Sequence, residues 1–334
     1  MNLLLRSPNW LGDAVIGLPA VQALRGKLPA GSRLSVLTPA KLADFWKVIP
    51  GIDAVIPTDP NLWITADAVR SFHFDAALIF PNSLRTGLEP WLAGIPRRIG
   101  FKGHQRKWFL TDTVPKYSRA RGLRHQAWDY LDLAATLLGK TKSQDPNPKD
   151  IPDFSPVSPS SVIRPPSSTP YLALCPGAEY GPAKRWPATR FAAAANRIAR
   201  DRGLEVILLG AEGDRPACLE VARSLDIPHR NLAGETTLAG FLAWLAHAAF
   251  VLCNDSGAMH VAALFGRPGA AVFGSTEPRL TGPITDSIAV VREHVPCSPC
   301  FLRECPIDFR CMNGVTVDHV IPSSSPHHSI SSSP

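Results

Sequence analysis

Gly12 and Asp13 lie in SPNWLGDAVIGLPAV, where a short apolar run turns into a helical pattern. Gly12 frees the backbone for a tight turn. Asp13 then stands near a helix start, either as a capping carboxylate or as a general base that takes a proton from an acceptor hydroxyl. Two further segments have the chemistry of anion sites. In CPGAEYGPAKRWP (residues 175–187), Gly177 lets the backbone approach a ligand, and Lys184 and Arg185 add positive charge before the next helix. That combination suits a pyrophosphate, whereas a basic surface turn is the plain reading. In CNDSGAMHVAALFGRP (residues 253–268), Ser256 and Gly257 can offer backbone N–H groups to phosphate oxygens, and Asp255 can accept from a sugar hydroxyl. Helix capping is again the plain reading. His260 follows one turn later, a position more often structural than catalytic. Ser275 and Thr276 lie in the hydroxyl-rich run GSTEPRLTGP beyond the next strand.

These side chains need a frame that holds them at loop positions. Periodicity predicts strands over residues 2–6, 33–37, 54–56 and 76–80, with helices over 14–28, 42–48 and 125–138. A second series follows. Its strands span 171–174, 205–209, 250–252 and 269–273, and its helices 188–202, 216–225, 238–246 and 258–264. Alternating strands and helices imply an α/β chain of two doubly wound, Rossmann-like domains whose strand ends face a central cleft. Their expected limits are 1–141 and 170–321. A Pro/Ser-rich linker (142–169) lies between them, and a low-complexity tail (322–334) is expected to be disordered. No internal repeat is detectable.

Composition narrows the classes. At 334 residues the chain exceeds one ordinary core, and 45% hydrophobic against 19% charged residues excludes a disordered chain. The net charge of +7 favours acidic partners, and residues 97–125 hold nine Lys or Arg against one acid, Asp112. Nucleic acid is not supported, because no zinc-finger, RNP or helix-turn-helix signature is present. Neither GxGxxG nor the P-loop pattern occurs. Seven cysteines are an odd set for a disulfide scaffold and fit a reducing compartment. Four of them, Cys297, Cys300, Cys305 and Cys311, have spacing that could hold a structural zinc, with loop packing of reduced thiols as the other reading. No metal ligand is assigned. No run approaches membrane-spanning length, so a cytoplasmic protein is expected, with peripheral contact to an anionic membrane left open by the basic segment.

The segments PNWLGDAV, PNSLRTGLEPWLAGIPRRIGF, PGAEYGPAKRWP and NDSGAMHVAALFGRP with GSTEP resemble the ADP-heptose:lipopolysaccharide heptosyltransferases, glycosyltransferase family 9, and more the type II than the type I members. The likeness runs from Asn2 to about Ile321. It implies the GT-B architecture, ADP-L-glycero-D-manno-heptose as donor, and the heptosylated inner core of lipopolysaccharide as acceptor. The implied reaction inverts the anomeric centre and needs neither cofactor nor metal. Asp13 matches the family's general base and Lys184 its phosphate-binding lysine, while Asp255, Ser256 and Gly257 match the donor-binding motif. Gly177, Arg185, His260, Ser275 and Thr276 are placed on the donor side as well. Asp214, in LLGAEGDRP, is the expected ribose ligand, with Glu212 second. Asn9, Gly12, Asn82, Arg85, Arg97 and Arg98 fall on the acceptor side. One departure is that a C-terminal helix crossing back to the first domain is short or missing. A related transferase with another donor or acceptor, and a non-catalytic binder of nucleotide sugar or lipopolysaccharide, remain as other readings.

Overall fold

The computed structural model describes residues 1–103, 105–118, 120, 122–139, 154–158 and 167–321. The first half contains strands β1 (Asn2–Arg6), β2 (Arg33–Pro39), β3 (Ala54–Thr58), β4 (Ala76–Ile79), β5 (Arg97–Phe101) and β6 (Asp112–Val114). Its helices are α1 (Leu11–Ile16), α2 (Leu18–Arg25), α3 (Ala43–Lys47), α4 (Leu62–Arg70), α5 (Leu84–Leu92) and α6 (Ala127–Leu137). In the second half the strands are β7 (Tyr171–Cys175), β8 (Glu205–Leu208), β9 (His229–Asn231), β10 (Phe250–Asn254), β11 (Gly269–Phe273) and β12 (Ile288–Arg292). Its helices are α7 (Ala188–Arg202), α8 (Arg215–Ala222), α9 (Leu238–Ala246), α10 (Gly257–Leu264), α11 (Pro278–Thr281), α12 (Arg310–Gly314) and α13 (Val317–Val320).

Each half forms a six-stranded sheet, ordered β3-β2-β1-β4-β5-β6 and β12-β11-β10-β7-β8-β9. All pairings are parallel, with Leu4 opposite Ser35 on one side and Ala77 on the other. Central strands of such sheets are covered on both faces. They therefore read as continuous apolar runs, as Leu3–Leu5 and Tyr171–Cys175 do. In each sheet the strand order reverses at the centre, between β1 and β4 and between β10 and β7, and ligands of open α/β sheets bind at that point.

The single helix expected over 14–28 is two helices. Pro19 lacks the N–H that would continue the ladder, and the chain breaks at Gly17 to restart as α2 with Pro19 in its first turn. By contrast α7 has the expected bounds, because Gly203 closes it in the left-handed conformation (φ 64°, ψ 41°).

One apolar layer runs through both halves: α1, α2 and α6 on one side share a core with α9 and α10 on the other. Helix α1 packs on α10 and α3 on α9. The Gln126 N–H donates to Leu280 O across the halves at 2.9 Å. Most of the expected linker and all of the expected tail lie outside the described residues. The part of the crossing chain that is described is pinned on both sides. Ser155 exchanges hydrogen bonds with Gln22 of α2 (2.8 and 3.2 Å), and the Val157 N–H donates to Leu264 O at the end of α10 (2.9 Å). Helix α13 packs on α7 of its own half.

Candidate active site

A cavity of about 790 Å³ opens where the two reversal points face each other. The first half lines it with the start of α1, the ends of β4 and β5, and residues preceding and within α6. The second half supplies the loop after β7, the start of α10 and the loop after β11.

Asp13 occupies the first turn of α1. Trp10, in extended conformation, precedes this helix and makes no side-chain cap. The Asp13 carboxylate instead faces the cavity, where Gln126 Nε2 donates to its Oδ1 at 3.3 Å. Gln126 Nε2 also lies 2.8 Å from the buried Tyr130 hydroxyl, as its donor. Burial raises the Asp13 pKa above the ordinary 3.8, because a low-dielectric site disfavours the charged form. The Gln126 bond and the charges of Lys116 and Lys184 act in the opposite sense. A carboxylate raised in this way is a better proton acceptor.

On the facing wall, Lys184 ends a single helical turn after β7. Its Nζ lies 2.5 Å from Asp255 Oδ2, and the same oxygen accepts from Thr276 Oγ1 at 2.5 Å. Lys184 also stands 4.8 Å from the Tyr180 ring centre. Local structure holds this loop in place. Gly181 adopts φ 151°, and a Cβ there would strike Arg303 O. The Ala183 N–H donates to that oxygen at 3.0 Å. Asn254, buried at the end of β10, accepts from the Trp186 N–H (3.0 Å) and donates to Pro176 O (2.8 Å), which ties the lysine loop to the strand carrying Asp255.

Ser256 and Gly257 begin α10, so the positive end of the helix dipole is directed at the cavity. One turn on, His260 is buried against Gly12, and burial pushes its imidazole down to about 4, so it is neutral at pH 7. Three buried polar atoms on this side, His260 Nδ1, Ser275 Oγ and Arg185 Nε, make no hydrogen bond among the described residues.

Of the residues singled out in the sequence, the cavity brings together Gly12, Asp13, Lys184, Asp255, Ser256, Gly257, His260 and Thr276. Gly177, Arg185 and Ser275 lie behind this lining. Asp214 packs against Gly177 and Gly210, with its Oδ2 accepting from Ala211 N (3.1 Å), and Glu212 lies against Gly234; neither carboxylate lines the cavity. Apart from Gly12, the acceptor-side set is also placed elsewhere. Arg97 binds Asp112 and the carbonyls of Thr136 and Leu137. Arg98 binds the carbonyls of Ile95, Pro96 and Phe109. Both start β5, whereas the cavity lies at its far end, where Phe101 lines it. Arg85 pairs with Glu89 and with the carbonyls of Asp59 and Pro60. Asn82 accepts from Arg106 and Asn9 from Arg6, each at 3.3 Å.

Among the described residues, the cations that reach the first half's wall are Lys116 and Arg124, both from the basic segment. Gln126, Tyr130 and Asp129 join them, and Phe301 and Arg303 close the second half's wall. The last two come from the cysteine-rich loop. There Cys297 and Cys300 are exposed and Cys311 is buried, and among the described residues no three His, Cys, Asp or Glu side chains gather as metal ligands.

Comparison with known proteins agrees with this geometry. The family model for glycosyltransferase family 9 (heptosyltransferase) matches residues 62–309. Lipopolysaccharide heptosyltransferase 2 of Escherichia coli (strain K12) is 31% identical over 316 residues, covering 87% of this chain and 88% of that protein. The structure of E. coli ADP-heptose lps heptosyltransferase II superposes with a TM-score of 0.74 at 30% identity, over 88% of this chain and 91% of that one. E. coli heptosyltransferase WaaC with ADP shares the fold, with a TM-score of 0.71 at 18% identity over 95% and 97%. Two parallel sheets facing one cavity are thus the GT-B architecture, and a family match across most of its length makes this chain a glycosyltransferase and a member of glycosyltransferase family 9.

Proposed function

We propose that the protein transfers L-glycero-D-manno-heptose from ADP-heptose to the heptosylated inner core of lipopolysaccharide, with inversion at the anomeric carbon. The observation that carries the reading is that the raised carboxylate of Asp13 faces the cavity holding the Lys184–Asp255 pair. Asp13 takes the proton of the acceptor hydroxyl as its oxygen attacks the anomeric carbon. Lys184 and the N–H groups at the start of α10 stabilise the charge that grows on the departing diphosphate. Thr276 keeps Asp255 oriented, and Asp255 in turn positions the lysine.

In this reading residues 1–141 receive the acceptor and residues 170–321 hold the nucleotide sugar. Lys116 and Arg124 suit the acidic groups of an inner core. Gly177, Arg185, Asp214 and Ser275 support the donor from behind the lining. The enzyme works at the cytoplasmic face of the inner membrane as a peripheral protein; among the described residues no helix is long and apolar enough to cross a membrane.

The test is calorimetric titration with ADP-heptose and other nucleotide sugars, followed by ADP release on heptosylated Kdo-lipid A. Selective ADP-heptose binding with heptosyl transfer is expected. Turnover with a different nucleotide sugar, or no nucleotide-sugar binding, overturns the assignment.

A further inference from the structure

Large side chains stand exposed on the first half, outside the cavity lining. Trp108 is 77% exposed and Trp63 63%, with Ile64, Leu84 and Trp91 also open to solvent. They form one stretch of surface. Helix α4 packs on α5, and α5 on the turn Lys107–Phe109, where the Trp91 and Phe109 rings meet edge-on at 5.2 Å. Arg85 binds the chain just before α4, and Arg70 at the end of α4 donates to Leu92 O at the end of α5 (2.8 Å). Indoles this exposed in water are poorly placed, whereas an indole at a bilayer interface buries its ring and keeps its N–H wet.

Cations outnumber acids around them only narrowly, Arg70, Arg85, Lys102 and Lys107 against Asp59, Asp67 and Glu89, but most of the acids are paired or buried. Lys102 and Lys107 are exposed, and Lys107 Nζ lies 5.1 Å from the Trp108 ring centre. The acid on α4, Asp67, is paired with Arg70, and Glu89 is buried between Arg6 and Arg85. Position adds to composition. Trp63 and Leu84 follow the C-terminal ends of β3 and β4, the edge of the sheet on which the cavity opens, and the Lys107–Phe109 turn leads from there back along α5 toward the start of β5, where Phe109 O accepts from Arg98 Nε (2.7 Å).

We propose that the surface of α4, α5 and the Lys107–Phe109 turn docks on an anionic bilayer, with Trp63 and Trp108 seated at the headgroup level and Lys102 and Lys107 against lipid phosphates. This rests on the lipid-borne acceptor proposed above. Docking by this face, whose Trp63 end borders that edge, holds the cavity beside the membrane that carries the acceptor.

The experiment is sedimentation of the full chain with vesicles of phosphatidylglycerol and phosphatidylethanolamine, and with vesicles of phosphatidylcholine alone. The wild type is expected to bind the anionic vesicles, to release them as salt rises, and to leave the neutral ones. Lys102→Glu with Lys107→Glu should weaken binding by about tenfold or more, since each lysine near an anionic surface contributes roughly fivefold. Trp63→Ala with Trp108→Ala should weaken it comparably, with unchanged thermal melting and unchanged turnover on a deacylated, water-soluble acceptor. Wild-type protein that ignores anionic vesicles overturns the proposal, as do variants that bind like wild type. So does a dimer that the tryptophan pair alone dissolves, because the face then serves a second copy. Turnover on the soluble acceptor is read separately, so a failed docking face and a failed heptosyltransferase assignment are distinguishable.

Discussion

Gly12 and His260 meet across the two halves so closely that a Cβ on Gly12 would lie 2.8 Å from the His260 ring carbon Cδ2. The glycine is therefore required for contact rather than for a tight turn, since it lies within α1 and is not among the glycines of positive φ. Gly12→Ala should destabilise the protein by about 1–3 kcal/mol, the usual cost of overpacking. Adding His260→Ala should recover part of that loss, because the ring is what the methyl strikes. Urea melts of the two single variants and the double variant measure this coupling; additive losses would remove the contact as its cause.

Asp13→Asn should lower turnover by about 10²–10⁴-fold while leaving ADP-heptose binding near wild type. In the wild type, kcat/KM should rise with pH through an acid limb lying above 3.8, since burial raises this pKa. The stability sign is opposite. A carboxyl with a raised folded pKa contributes stability below 3.8 and loses it as pH rises through the folded value. The variant should therefore melt at or above the wild-type temperature at pH 7.5, with the gap closing in acid. Paired rate and melting profiles check both halves of the prediction.

Lys184→Ala leaves Asp255 with Thr276 but without its cation, in a position only 5% exposed. Stability should fall by about 3 kcal/mol, as for a buried pair deprived of one partner. ADP affinity should drop by about ten- to a hundredfold, the range for losing a charged hydrogen bond. Lys184→Met combined with Asp255→Asn should restore much of the stability and none of the affinity. Chemical denaturation alongside calorimetry separates these effects.

His125 and His260 are both buried, neutral, and pushed down to about 4 from 6.5. His125 packs across the halves, its Nε2 3.2 Å from Gly282 O. For a depressed pKa the stability is fully present above 6.5 and is lost as pH falls toward 4. Between pH 7.5 and pH 5 the melting temperature should drop by roughly 5–10 °C. Scanning calorimetry across that window checks it, and a flat profile would mean the two rings are not sealed from water.

The second half was largely legible in the sequence. Helices α7 and α9 have the bounds that periodicity predicts, and each phosphate-type motif stands at a strand end. Helices α4 and α5 were missed because their signals conflict: α4 exposes Trp63 and Ile64, and α5 carries Pro90 inside it. The basic segment was read as one feature, but a strand carries its start to one edge of the sheet and its end to the other. Arg97 and Arg98 therefore brace the frame, whereas Lys116 and Arg124 reach the cavity. Gln126 gave no signal, since its contact with Asp13 spans more than a hundred residues and exists only after folding.

The double pin of the crossing chain limits how the halves can part. Ser155 is held to α2, and Val157 to Leu264, the last residue of α10, roughly 10 Å along the helix from the end that faces the cavity. A chain fastened there tethers the halves on the side away from the cavity. Any parting of the halves is then expected to be widest at the cavity mouth, between Asp13 and Lys184, and least at the tether.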